Sequence, residues 1–264
     1  MRPAVHDIQV KTVLAALSVL LPIALWSCQE TEADRAGNDA AAEHTPIDAR
    51  TAASICRAIW SPTAKIKTRG SVLCSVAETI NASSAKTFVS LLRANRIDWI
   101  VIASLGGDVS SALDMAEAVC DSRASLVVAG PCLSSCANYV FLAARRKYVI
   151  PGGIVAWHGG VPERPKGDSD PAAPLIERSR AFTAKIGVNP ALFERYPKEL
   201  DDSPDFIDAV YNDKSPFWTY SKADLENRFS VQGIVDYWLP DCAKWKQEIQ
   251  MIGMSYLFYA GQCH

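Results

Sequence analysis

Apolar and polar positions alternate with a period that changes along the chain, and each change predicts an element. Ala85 to Ala94 (AKTFVSLLRA) places Phe88, Leu91 and Leu92 at helical spacing. Trp99 to Ser104 (WIVIAS) is a continuous apolar run, which suits a strand buried on both faces. Leu105-Gly106-Gly107 breaks it. Ser110 to Cys120 (SSALDMAEAVC) is helical again, with Leu113, Ala116 and Val119 on one face. Ser125 to Ala129 (SLVVA) predicts a second strand, ended by Gly130-Pro131, and Ser134 to Ala144 a third helix. Tyr148 to Ile150 and Ile154 to Trp157 predict strands around a Pro151-Gly152-Gly153 turn.

Strand, helix, strand, helix, strand is the order of an α/β protein with a largely parallel sheet. Functional residues of such sheets gather where strands end and helices begin. Three segments therefore matter: Leu105 to Asp108, Gly130 to Ser135, and His158-Gly159-Gly160. Beyond them, Pro162 to Ala173 is polar and proline-rich and predicts a loop. Helical patterns follow at Leu175 to Ile186 and Pro190 to Tyr196, then acidic, loop-like sequence from Lys198 to Asp208. Together they form an insertion after the strand leading to His158, placed to act as a lid. Ser221 is expected to cap a later helix, with Asp224 at the capping-box position.

The first residues have a different character. Residues 12 to 26 (TVLAALSVLLPIALW) are uncharged and apolar, with Arg2 and Lys11 before them and Ser27-Cys28 after. That is the layout of an export signal, and it is short for a transmembrane helix. Leu25-Trp26-Ser27-Cys28 resembles a bacterial lipobox, which implies lipidation at Cys28 and a membrane anchor at the envelope face; ordinary secretion or an uncleaved anchor is the alternative. Trp26 departs from that pattern, where a small residue is usual. Gln29 to Pro46 is acidic and alanine-rich and reads as a solvated tether. Three segments are thus expected: residues 1–28 as signal and lipobox, 29–48 as tether, and 49–264 as the folded domain.

Composition narrows the choice further. The 264 residues carry 27 basic and 29 acidic side chains, a net charge of −2, so there is no electrostatic footprint for nucleic acid. At 49% hydrophobic residues the chain can bury a sizeable core. Eight cysteines suit an oxidising compartment. With Cys28 lipidated, an odd number remains, so one is expected to be unpaired or to bridge chains. Cys56 with Cys74 and Cys242 with Cys263 are the expected staples. Cys132 and Cys136 have each other or Cys120 as partners. The cysteine and histidine spacings do not suit zinc, and no cofactor is expected.

His158 is the only histidine inside the predicted domain, at a strand end. A hydrogen-bonded structural histidine is the plain alternative to a general base. Ser134 and Ser135 open a helix directly after a strand and a Gly-Pro turn. Either is a helix cap, or a nucleophile whose oxyanion would face backbone N–H groups and the positive end of the helix dipole. Gly106-Gly107 can add another N–H and let a substrate carbonyl approach closely. The three features in successive units argue together for a hydrolytic site.

On these residues the chain resembles a known family. Ser104-Leu-Gly-Gly-Asp-Val-Ser-Ser-Ala-Leu-Asp-Met is similar to the Gly-Gly segment and following helix of the Clp protease proteolytic subunit. Gly130-Pro-Cys-Leu-Ser134 is similar to its nucleophile turn, and Pro151 and His158 to its proline and histidine. Cys132-Leu-Ser134-Ser-Cys136 resembles the Cys-x-Ser-x-Cys signature of exported bacterial relatives. The likeness covers about Val76 to Gly160. It implies a ClpP/crotonase-type α/β fold: a spiral of ββα units with a mostly parallel sheet. It also implies Ser134 as nucleophile, His158 as base, and an oxyanion hole from the N–H groups of Gly107 (or Gly106) and Ser135. Placing Ser134 requires one extra residue in the helix before Leu142. Sliding to Ser135 removes the extra residue and spoils the match to Gly130. The third triad member falls at Asp213, with Asp208 as runner-up, and a surface carboxylate is the plain role for either.

Four functions compete. The first is a serine hydrolase, peptidase-like, acting on a peptide or other acyl substrate in the envelope. The second is a crotonase-like thioester enzyme, against which the export signal argues. The third is a non-catalytic binding or scaffold protein on the same fold. A thiol-redox role for Cys132 and Cys136 lacks the usual Cys-x-x-Cys spacing. Rings and trimers are common in the superfamily, so a homo-oligomer is compatible with the resemblance.

Overall fold

The computed structural model describes residues 47–61, 63, 65–76, 79–159, 173–194, 196–212, 214, 216–241 and 257–260. Asp48 caps the first helix by accepting from the Thr51 N–H at 2.7 Å, and α1 runs over Ala49–Ile59. A tight hairpin follows, β1 (Ile66–Arg69) and β2 (Val72–Val76), the only antiparallel pairing in the large sheet among the described residues. Neither α1 nor this hairpin is apparent from the apolar pattern. Asn81 and Ser84 form a reciprocal capping box at the start of α2 (Ala82–Ala94). Then come β3 (Trp99–Ser104), at the bounds expected, and α3 (Val109–Ser122).

The next strand differs from expectation. β4 runs through the Gly130-Pro131 pair, over Ser125–Leu133. Its first half pairs with β3 and with β5 (Lys147–Val149), and its last three residues pair with β6 (Ile154–Ala156). The register against β3 shifts between the Ile102–Val128 and Ser104–Cys132 pairs. That irregularity absorbs the Gly-Pro pair, so a turn signal becomes a bulge.

The large sheet has seven strands, in the order β1-β2-β3-β4-β5-β8, with β8 spanning Ile234–Tyr237 and β6 branching from β4. All pairings beyond the first hairpin are parallel. Strand alternation divides the core. Leu73, Ile100, Ile102, Leu126 and Val128 face one side with Phe88 of α2 and Leu113 and Val119 of α3. Val72, Cys74, Val101 and Val127 face the other, under Ala52, Ala53 and Cys56 of α1. Each large aliphatic or aromatic side chain so buried is worth roughly 1.5–3 kcal/mol. Cys56 and Cys74 form the expected disulfide and fasten α1 to β2.

After β6 the described chain resumes at α4 (Ala173–Lys185) and short α5 (Ala191–Glu194). The segment Lys198 to Asp208, expected as loop, holds a single 3₁₀ turn and the start of α6 (Pro204–Tyr211). Ser203 caps α6 and Pro204 occupies its first turn, a start signal that outweighs the acidic composition. β7 (Phe217–Thr219) pairs in parallel with β9 (Leu257–Tyr259). Between them Ser221 caps α7 (Lys222–Asn227), accepting from the Asp224 N–H at 3.0 Å. Among the described residues, no helix is long and apolar enough to cross a membrane.

The insertion lies on the body of the protein. Arg178 of α4 donates to Asp114 at 2.7 Å and to Glu117 on α3. Ser179 bonds the Tyr139 hydroxyl at 2.9 Å, and Phe182 and Phe193 meet the Tyr139 ring edge-on. The loop expected at Pro162 to Ala173 lies outside the described residues, except that Ala173 already begins α4.

Candidate active site

β4 ends at Leu133, and the chain turns at Ser134 into a helix. Ser134 has φ +55°, a left-handed conformation unusual for a side-chain-bearing residue. Strain of this kind persists only where the surroundings over-determine it. Here the Ser134 N–H donates to the Ala156 carbonyl at 3.1 Å, and its own carbonyl accepts from the Asn138 N–H at 2.8 Å. Cys132 and Cys136 are joined in a disulfide that spans the turn. Cys120, the other partner considered for them, is disulfide-bonded elsewhere, and no described cysteine is free.

The helix that follows is a π-helix over Cys136–Phe141. A π-turn holds an additional residue relative to an α-turn. The Ser134 hydroxyl lies 2.6 Å from His158 Nε2. Ser135 is buried and points elsewhere: its hydroxyl accepts from the Gly107 N–H at 2.8 Å and donates to the Gly107 carbonyl at 3.1 Å. The two serines are thus distinct in geometry, and Ser134 alone of the pair meets the imidazole.

His158 follows β6, whose pairing with β4 aligns Ala156 with Leu133. Trp157 makes a two-way main-chain bridge to Trp218, at 2.8 and 2.7 Å. The His158 ring meets Phe217 edge-on at 4.8 Å. Burial holds its pKa below the ordinary 6.5, opposed by a hydrogen bond to its own backbone. The neutral imidazole, the form that can take a proton, is favoured.

Gly106 and Gly107 pack against this turn at φ +88° and +148°. A Cβ on Gly106 would come within 2.5 Å of the Leu133 carbonyl and 2.8 Å of Ser134 Cβ. One on Gly107 would come within 2.1 Å of the Ile80 carbonyl. Glycine is therefore required at both positions by close approach. Their N–H groups, expected to bind an oxyanion, are already engaged, Gly106 with Ser104 Oγ at 3.1 Å and Gly107 with Ser135 Oγ. Asp108 is used as the α3 cap. Hydrogen bonds from Ser111 hold its carboxyl below the usual range.

The third member is not assembled among the described residues. Asp213 lies outside them. Asp208, on α6, bonds Asn212 at 2.7 Å and Lys214 at 2.9 Å, the arrangement of a helix-surface carboxylate. No described carboxylate bonds the His158 ring. Sequence reasoning missed two neighbours of the pair, Phe217 and Asn138. A lone amide within the apolar run Ala137 to Phe141 was the available signal for Asn138.

The chain is similar in structure to a mutant of ClpP1 from Listeria monocytogenes, at 19% identity and a TM-score of 0.36, over 45% of this chain and 70% of that one. No family model matches the sequence. A search of curated proteins also finds no match.

Proposed function

We propose that the chain is a serine hydrolase of peptidase-like type on a ClpP/crotonase-like fold. One observation carries the reading: the 2.6 Å contact between Ser134 Oγ and His158 Nε2, on a turn strained at the serine. A serine hydroxyl needs an adjacent base to become a nucleophile. In the proposed reaction Ser134 Oγ attacks an ester or amide carbonyl and its proton passes to His158 Nε2. The tetrahedral oxyanion accepts from the Ser135 and Gly107 N–H groups, once the Ser135 hydroxyl has moved off Gly107. His158 then protonates the leaving group. Water, activated by the same imidazole, releases the acyl group and regenerates Ser134. Asp213 is the proposed orienting acid.

The compartment belongs to the same proposal. Lipidation at Cys28 would hold the domain at the envelope face of a membrane, where peptides or other acyl compounds are the available substrates. A homo-oligomer is compatible with this placement.

A second reading, a binding or scaffold protein, is favoured by one observation: both glycine N–H donors are occupied. A fluorophosphonate probe on the intact protein separates the two. The hydrolase reading expects labelling of wild type and Ser135→Ala, and none of Ser134→Ala or His158→Ala. Wild-type protein that never labels sinks it in favour of the scaffold.

A further inference from the structure

We propose that Asn138 is a positioning residue for the Ser134–His158 pair, tying the nucleophile turn to the histidine loop through its amide; this rests on the hydrolase reading. Asn138 is 3% exposed and lies in the middle of the π-helix. Its main-chain N–H donates to the Ser134 carbonyl at 2.8 Å. Its side-chain Nδ2 donates to the Gly159 carbonyl at 2.9 Å, across 21 positions of sequence. One residue thus holds the nucleophile by its backbone and the histidine's neighbour by its side chain.

The histidine loop needs such a tie. β6 ends at Ala156, and the Trp157–Trp218 bridge is its last strand-like pairing. On the near side of His158, the Ala156 carbonyl accepts from the Ser134 N–H; on the far side, the Gly159 carbonyl accepts from Asn138. His158 is bracketed between two bonds that both originate in the nucleophile turn and its helix. Among the described residues, this bracket and Phe217 hold the ring, independently of the acid proposed at Asp213.

The amide is also a costly choice. Its Oδ1 is buried without a hydrogen-bond partner among the described residues. A buried acceptor left unpaired weakens the fold, and apolar neighbours show that the helix does not require polarity there. The Nδ2 orientation follows from chemistry, since the Gly159 oxygen can only accept. The π-turn changes the angular phase of the helix after Ser134 and carries Asn138 within it.

Asn138→Ala and Asn138→Leu in the full chain test this. Leu fills the space of the amide and offers no donor, so it covers the case in which Ala fails to fold; thermal melting checks both. Fluorophosphonate kinetics should show a maximal labelling rate reduced about 10- to 100-fold, with the half-saturating probe concentration within about twofold of wild type. The His158 ring, titrated by NMR, should move toward its ordinary value as the loop opens to water. A purely structural amide would alter melting and leave both readouts unmoved. A folded variant with wild-type labelling rate and wild-type His158 titration overturns the proposal. If wild type does not label, the hydrolase reading has failed, and the NMR titration alone decides whether Asn138 positions the ring.

Discussion

The Ser135 hydroxyl sits 2.8 Å from the Gly107 nitrogen and 3.1 Å from the Gly107 oxygen, closing a two-way clasp across 28 positions of sequence. The clasp occupies a donor that the proposed oxyanion would need. Ser135→Ala removes the competitor. Its net hydrogen-bond contribution, about 0.5–1.5 kcal/mol, corresponds to a labelling rate raised roughly 2- to 10-fold. Stability should fall by about 1 kcal/mol, because the Gly107 N–H loses its partner. Rates from stopped-flow labelling and a urea melt check the pair of effects. A slower variant would show that the clasp positions Gly107 and does not block it.

The Cys132–Cys136 disulfide spans the strained serine turn. In the chain-entropy model a loop this short contributes only about 2 kcal/mol. The expected cost of Cys132→Ala with Cys136→Ala is therefore larger in labelling than in stability. Both sulfurs are fully buried, so mild reductant on native protein should leave labelling unchanged. Rapid loss of labelling in mild reductant would contradict this.

Two bases, half-buried His158 and buried Lys147, set the pH behaviour. Attack needs neutral His158, whose pKa burial holds below 6.5. Labelling should climb through that lowered value and already exceed half its plateau at pH 6.5. Lys147 is buried, its ammonium donating to the Ala144 and Gln232 carbonyls, and burial pushes its pKa down to about 7. The unfolded chain holds that proton up to about 10.4. It therefore binds more protons than the folded chain between these values, and stability rises with pH there. Urea midpoints at pH 7 and pH 9 should differ in wild type and converge in Lys147→Met. An equal rise in the variant would assign the slope to other groups.

Cys28 is expected at the mature N-terminus, acylated, with the protein in the membrane fraction. Intact-mass measurement from the native host checks this. An unmodified N-terminus downstream of Cys28 rules it out.

The parts of the fold legible in sequence are those where one physical signal dominates. Trp99 to Ser104 is apolar throughout because both sheet faces are covered, and its bounds are those observed. Ser221 and Asp224 mark a helix start by local hydrogen bonding alone. β1 escapes notice because Lys67, Thr68 and Arg69 lie on an edge strand, where burial does not enforce alternation. β4 crosses Gly130-Pro131 because a register shift supplies the room a turn would otherwise take. At the site, Ser134 and His158 stand out by type and by strand-end position. The orientation of Ser135 and the part played by Asn138 depend on a π-turn, which apolar spacing does not distinguish from an α-turn.

The bond between Cys56 and Cys74 has a mechanical consequence. A pull arriving from the N-terminal side can peel α1 only as far as Cys56. Beyond that point the load passes covalently to β2, which is flanked by β1 and β3 inside the sheet. Tension from that side is thus delivered to a strand that must shear several main-chain bonds together, and Ser134, two strands further in, is shielded from it.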